Sequence, residues 1–175
     1  MSDQKIFGVT GWKNAGKTTL VERLVAEFVR RGLTVNTVKH GHHDLDVDHP
    51  GRDSYRHRAA GATEVAVVGG HRYAIMREQE EPTLAEVLAR LAPADLILIE
   101  GYKREPHRKI EVHRAANGKP LLFPDDPGIV GIATDTAIDT ALPTAHLDDV
   151  VAVAAMMQRA AITVEDVLAK SVAGS

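Results

Sequence analysis

Eight residues near the start of the chain, Gly11-Trp12-Lys13-Asn14-Ala15-Gly16-Lys17-Thr18, fit the pattern G-x-x-x-x-G-K-[ST]. They stand where one hydrophobic period gives way to another. Before them, Ile6 to Thr10 is a short β-rich apolar run that breaks at Gly11. After them, Leu20, Val21, Leu24, Val25, Phe28 and Val29 recur at helical spacing from Lys17 to Arg31, and Gly32 falls where a C-terminal cap belongs. Thr34 to Lys39 reads as a second strand, so the interval is the size of a βαβ unit with a parallel pair and a right-handed crossover. A loop of this composition can turn its backbone amides inward around a phosphate chain, because glycine lets the backbone approach closely. Lys17 can then reach the β- and γ-phosphates, Thr18 can ligate Mg²⁺, and the following helix adds the positive end of its dipole. Gly11, Lys13, Asn14, Ala15, Gly16, Lys17, Thr18 and Thr19 are the residues expected to hold a nucleotide.

The rest of the chain continues the alternation. Arg52 to Ala60 reads as a short basic helix, and Glu64 to Val68 with Arg72 to Met76 as a hairpin across Gly69-Gly70-His71. Thr83 with Glu86 forms a capping box ahead of Leu84, Val87, Leu88 and Leu91. Leu96 to Ile99 is an unbroken aliphatic run, the mark of a strand buried on both faces. Ile110 to Val112 and Ile129 to Thr134 supply further strands; Asp148 to Met157 starts a helix, and Thr163 with Asp166 begins the last one. The expected fold is α/β and P-loop NTPase-like: a mostly parallel sheet flanked by helices, with an antiparallel hairpin, residues 1–175 forming one nucleotide-binding domain.

Composition narrows the function by exclusion. A net charge of −3 gives no chain-wide field for nucleic acid or an anionic membrane. The absence of cysteine removes disulfides, thiolate zinc sites and a cysteine nucleophile. The polar start and the short apolar run behind it fit neither a signal peptide nor a membrane span, so a soluble, cytoplasmic protein is expected.

Asp95-Leu-Ile-Leu-Ile-Glu100-Gly101 is the natural second half of the phosphate site: a core strand delivers an acid, Glu100, at its carboxyl end, where P-loop proteins usually place an Asp to hold Mg²⁺. Taken alone, the segment reads first as a buried strand ending in an ordinary exposed Glu; beside the phosphate loop, the Mg²⁺ reading takes precedence. His40, His42, His43, His49 and His57 crowd near Asp44, Asp46, Asp48 and Asp53. Imidazole and carboxylate both ligate zinc or nickel, but the spacing fits no helix or finger, and a polar loop is the other reading. Asp46 and Asp48 are candidates to assist Mg²⁺ or orient water beside the terminal phosphate; no catalytic residue is otherwise identified. Arg52, Arg56 and Arg58 form one basic segment, and Lys103, Arg104, Arg108 and Lys109 another, in the loop after Glu100. Such charges are commonly a solvated face. Here the phosphate loop, the His/Asp loop and the second basic segment all follow carboxyl ends of strands, where open α/β sheets bind ligands.

The run from Val38 through Lys-His-Gly-His-His-Asp-Leu-Asp-Val-Asp-His-Pro-Gly-Arg-Asp-Ser-Tyr-Arg56, behind Gly-Trp-Lys-Asn-Ala-Gly-Lys-Thr-Thr and ahead of Leu-Ile-Glu-Gly-Tyr-Lys, resembles the MobB family of molybdopterin-guanine dinucleotide biosynthesis adaptors. The resemblance spans about Ile6 to Asp135. It implies a GTP-binding, homodimeric adaptor that uses GTP and Mg²⁺, hydrolyses GTP feebly at most, and is not itself the guanylyltransferase. Its implied partner is that enzyme, MobA, which joins GMP to molybdopterin, with molybdopterin a candidate further ligand. By position, Gly11 to Thr18 carry over as the phosphate loop, and Thr18 and Glu100 as the Mg²⁺ residues. GTP over ATP rests on the resemblance, since N-K-x-D is absent and Asn117-Gly118-Lys119-Pro120 does not replace it. The alternatives are a metallochaperone-type GTPase and a P-loop small-molecule kinase. The hairpin, apolar on both faces, is expected to pair two copies; its alternative is to pack as an edge of its own sheet.

Overall fold

In the computed structural model, which describes residues 4–41 and 48–173, the elements follow the chain as β1 (Lys5–Thr10), α1 (Lys17–Arg30), β2 (Val35–Lys39), α2 (Asp53–Ala59), β3 (Glu64–Val68), β4 (Tyr73–Arg77) and α3 (Leu84–Leu88). Then come β5 (Leu96–Glu100), β6 (Lys109–His113), a 3-10 turn at Ala115–Asn117, β7 (Ile129–Thr134), β8 (Thr144–His146), α4 (Val150–Ala160), β9 (Ile162–Thr163) and α5 (Val164–Ala173). They divide into two compact units, residues 1–40 with 88–175, and residues 41–87.

The larger unit carries a sheet in the order β2-β5-β1-β6-β7-β8, with every neighbouring pair parallel. β9 adds an antiparallel pairing to the start of β1, through Lys5 with Thr163 and Ile6 with Ile162. The four aliphatic residues of β5 are buried, as their run requires, and Glu100 at its end is buried with them. Helix α1 buries Leu20, Val21, Leu24 and Phe28 in the same core as Phe7, Val9, Leu98 and Ile110. It ends as Gly32 predicts: Gly32 takes φ +84°, its N–H donates to Val29 O at 2.9 Å, and Leu33 N–H donates to Phe28 O at 3.1 Å. Those two bonds make a Schellman cap, which satisfies carbonyls the helix would otherwise leave open.

Several boundaries differ from the sequence expectation for local reasons. Asp149 rather than Asp148 caps α4, its carboxylate accepting from Ala152 N at 2.9 Å, so the helix begins two residues late. Helix α3 stops at Leu88, and Leu91 continues only as a turn, N–H to Leu88 O at 3.3 Å. The strands β8 and β9, three and two residues long, are too short for any alternation to show in sequence. The Thr163–Asp166 capping box forms, with Asp166 N–H donating to Thr163 Oγ1 at 3.1 Å. Among the described residues no helix is long and apolar enough to cross a membrane.

In the smaller unit β3 and β4 form a two-stranded antiparallel sheet of their own, with Val65 opposite Met76 and Val68 opposite Tyr73. The second strand starts at Tyr73, not Arg72, because the Arg72 carbonyl closes the turn by accepting from Gly69 N at 2.9 Å. Helix α2 packs against β3, and Thr83 caps the start of α3 reciprocally with Glu86.

Candidate functional site

The loop between β1 and α1 owes its shape to positions with positive φ, where most side chains are strained. Gly11 has φ +143°, and a Cβ there would lie 2.5 Å from the Val112 carbonyl oxygen of β6. Gly16, at φ +97°, opens α1 without a side-chain cap, and Asn14 takes the left-handed region at φ +65°. The Ala15 N–H donates to Trp12 O at 3.2 Å, and α1 begins at Lys17 with the positive end of its dipole at the loop, a position that suits an anion. Ala15 is buried beneath, whereas Lys13, Asn14, Thr18 and Thr19 are exposed.

The sheet brings two distant sequence candidates together. Thr18 Oγ1 donates to Glu100 Oε1 at 2.7 Å, because β5 lies beside β1 and ends level with the loop. Lys39, at the end of β2, completes the group: its Nζ lies 3.5 Å from Thr18 Oγ1 and 3.7 Å from Glu100 Oε1. Lys17 Nζ donates to the Trp12 carbonyl at 2.8 Å, spanning its own loop. Partial burial lowers the Lys17 pKa from its ordinary value; Glu100 opposes that shift, and the Lys103 and Lys39 charges add to it.

Segment 114–120 braces the loop from the β6 side, a role that the sequence did not disclose. Asn117 Nδ2 donates to Lys13 O at 3.3 Å, and the Trp12 indole N–H donates to Pro120 O at 2.7 Å. Arg114 brings its guanidinium to the loop, 3.5 Å from where a Gly16 Cβ would stand, and Asp135 anchors the segment by accepting from Ala115 N at 2.8 Å. Lys103 and Lys119 lie 5.2 and 5.9 Å from the centre of the Trp12 ring. The only sequence signal was the Asn117 to Pro120 segment itself, whose spacing matched no known base-reading pattern.

One basic residue is not where its loop composition put it. Lys109 is 1% exposed on β6, with Nζ donating to the carbonyls of Lys103 at 2.8 Å and Glu105 at 3.0 Å and to Asp126 Oδ2 at 3.2 Å. It is buried because Gly8 on the neighbouring strand leaves room: a Cβ there would meet Lys109 Cβ at 2.9 Å.

The His/Asp segment divides. His42, His43, Asp44 and the candidate Asp46 lie outside the described residues. His40 stacks on Tyr102, with ring centres 4.4 Å apart. In the smaller unit the Asp48 carboxylate is buried, accepts from Ser54 Oγ at 2.9 Å and His49 N at 3.1 Å, and has Arg58 Nε at 3.4 Å. Asp53 is exposed on α2, 3.7 Å from Arg56. Among the described residues no three His, Asp or Glu side chains gather as a metal site.

Residues 6–135 match the family described as "Molybdopterin guanine dinucleotide synthesis protein B" (MobB). A molybdopterin-guanine dinucleotide biosynthesis adapter protein of Haemophilus influenzae is 38% identical over 138 residues, 77% of this chain and 76% of that one. Its Escherichia coli counterpart is 35% identical over 151 residues, 83% and 86% of the two chains. Among solved structures, a MobB protein homolog from Bacillus stearothermophilus superposes with a TM-score of 0.65 at 28% identity, covering 88% of this chain and 95% of that one. Bacillus subtilis MobB gives 0.69 at 26% identity, covering 89% and 98%.

Proposed function

The chain belongs to the MobB family, and from that premise we propose that it is a GTP-binding adapter in molybdenum cofactor biosynthesis. In this reading it assists the guanylyltransferase MobA as that enzyme converts molybdopterin to its guanine dinucleotide form. The observation that carries the nucleotide half is the Gly11–Thr18 loop at the carboxyl edge of a parallel sheet, with Lys17 across it and Thr18 hydrogen-bonded to Glu100. Gly11, Lys13, Asn14, Ala15, Gly16, Lys17, Thr18 and Thr19 would hold the phosphates.

Thr18 and Glu100 also fit Mg²⁺. They offer a hydroxyl and a carboxylate, the hard oxygen donors that ion takes, and the Lys39 ammonium beside both indicates that a positive charge is favoured there. Held by Thr18 and Glu100, Mg²⁺ would supply positive charge that neutralises phosphate. The chain's own part is to orient: loop amides grip the phosphates, Lys17 pairs with them, and Glu100 fixes the Thr18 hydroxyl.

The same reading makes all 175 residues one working nucleotide-binding domain in the cytoplasm, with 41–87 inserted between β2 and β5, and pairs two copies through the β3–β4 hairpin. Hydrolysis by the chain alone is slow, since fast transfer needs a positioned water and, in most such proteins, an added arginine. A pulldown tests the whole. Purified guanylyltransferase should be retained by the immobilised chain, and more strongly with GTP and Mg²⁺ than without. Equal recovery on blank resin under both conditions removes the adapter reading.

A further inference from the structure

Lys103 has no place in the phosphate contacts described above, yet the fold spends a buried lysine on holding it. β5 ends at Glu100; Gly101 turns the chain at φ +95°, where a Cβ would press to 3.1 Å on the Cβ and carbonyl of His40, and Tyr102 follows at φ +48°. This double left-handed turn folds the chain back, so that Lys103, three residues past Glu100, lies over the Trp12 ring at 5.2 Å. From the other side, the buried Lys109 ammonium takes the carbonyl of Lys103 at 2.8 Å and that of Glu105 at 3.0 Å. Asp126 stands behind it at 3.2 Å. The Lys103 backbone is therefore fixed, while its own ammonium meets no carboxylate among the described residues and rests on an aromatic face.

Three ammonium groups converge here: Lys17 across the loop, Lys39 against Thr18 and Glu100, and Lys103 above Trp12. Lys17 responds to both of the others as like charges. Among the described residues Glu100 is the carboxylate recorded against Lys17 and Lys39, so the described site carries an excess of positive charge for an anion to meet. The excess lies on the β5 side of the loop. That is the side of Thr18 and Glu100, the residues that would hold Mg²⁺ for the terminal phosphates.

We propose that Lys103 is the group by which this site tells a nucleoside triphosphate from a diphosphate, its ammonium leaving the Trp12 ring to pair with the terminal phosphate. Lys109 acts as the positioning residue that presents it. A cation over a partly exposed ring is weakly held, whereas a phosphate oxygen offers a charge-assisted hydrogen bond, so the exchange favours the triphosphate. The proposal rests on the nucleotide-binding reading above and adds to it a specific discriminating residue.

Calorimetric titration of the full chain with GTP and with GDP, both in Mg²⁺, separates the two. The unmodified protein should bind both and prefer GTP. Lys103→Met should lose about tenfold in GTP affinity while its GDP affinity changes by less than about twofold, as loss of one charged contact to the third phosphate requires. Lys103→Arg, which keeps the charge, should restore most of the preference. Trp12 is the chain's single tryptophan, and its fluorescence should change on adding GTP to the unmodified protein but less in Lys103→Met. A loss shared equally by GTP and GDP, or no loss at all, overturns the proposal and leaves nucleotide binding intact. Failure of the unmodified protein to bind either nucleotide overturns both.

Discussion

Thr18 and Glu100, 82 positions apart, meet at 2.7 Å, the hydroxyl donating to the carboxylate across the ends of a helix and a strand. Lys39 supplies the pair's counter-charge, its Nζ 3.7 Å from Glu100 Oε1. Glu100→Gln keeps the shape and removes the charge. GTP affinity measured with and without Mg²⁺ should differ by about tenfold or more in the unmodified protein and by no more than about threefold in the variant, the scale of one charge-assisted contact. An undiminished Mg²⁺ dependence would place the metal elsewhere.

Lys17 gives a second test. Its ammonium spans the loop to the Trp12 carbonyl, and Lys17→Ala should weaken GTP binding by about 10- to 100-fold, the loss of roughly 1.5–3 kcal/mol from a charged contact. The helix should survive, since its apolar stripe is untouched. A pH series sharpens this. Burial, with Lys103 and Lys39 nearby, lowers the pKa of Lys17 in the free protein, and phosphate prefers the protonated form. GTP affinity should therefore fall as pH rises, beginning below the range of an ordinary lysine, and the Lys17→Ala protein should lack that component.

His107 predicts an acid sensitivity of the fold. It is fully buried, and neither ring nitrogen has a hydrogen-bond partner among the described residues. Burial, with the Lys109 ammonium beside it, lowers its pKa from 6.5 to about 4, against an opposing pull from Asp126. The unfolded chain takes up a proton below pH 6.5 and the folded one only near 4, so the unfolded state binds more protons in that window. Stability should drop as pH falls through it, by up to about 3 kcal/mol. Denaturant titrations at intervals between pH 7 and pH 4 should show His107→Leu losing less stability than the unmodified protein. Glu111, whose carboxyl is pushed up by burial, works in the opposite direction but is common to both proteins. Parallel pH profiles would show that His107 does not titrate this way.

What could be read in advance follows from how far each signal reaches along the chain. The Gly11–Thr18 turn between strand and helix, the α1 stripe with its Gly32 cap and the aliphatic β5 are local patterns, and each element formed where its residues put it. Thr18 with Glu100 could be named as a pair because a parallel sheet carries strand ends to one edge. Lys109 could not be read, because its burial depends on Gly8 of a strand about a hundred residues earlier and on carbonyls of a loop with no pattern. Nor could the Arg114–Pro120 brace. Its contacts to Trp12 and Lys13 join the loops after β1 and β6, and only the sheet order makes those neighbours.

Gly11 tests how closely the loop depends on β6. At φ +143°, with a would-be Cβ 2.5 Å from the Val112 carbonyl, Gly11→Ala meets backbone strain and a contact that no side chain can yield to relieve. A cost of at least about 2 kcal/mol is expected from the two together. Thermal denaturation should show a clear fall in Tm. Gly70→Ala is the control: nothing lies within 4 Å of a Cβ there and no positive φ is involved, so its change should stay within about 0.5 kcal/mol.

The hairpin prediction sharpens once its two faces are resolved. Val65, opposite Met76, is buried on the side where α2 packs against β3. Ala66, Val68, Tyr73 and Ile75 share the other face, and there Val68 is 78%, Tyr73 72% and Ile75 58% exposed. A two-stranded ribbon is marginal in water by itself, and a contiguous apolar patch on it marks a surface that another molecule covers. In the proposed homodimer that molecule is a second copy. Ile75→Lys, which charges the bare face, is a stronger probe than Val67→Lys, because Val67 lies on the same face as Val65. Ile75→Lys should be monomeric by light scattering at micromolar concentration and still bind GTP, since the phosphate-site residues lie outside residues 41–87. Glu64→Gln, which loses only the exposed 2.7 Å ion pair with Arg77, should remain dimeric. A monomeric unmodified protein at that concentration would leave the bare face for a different partner.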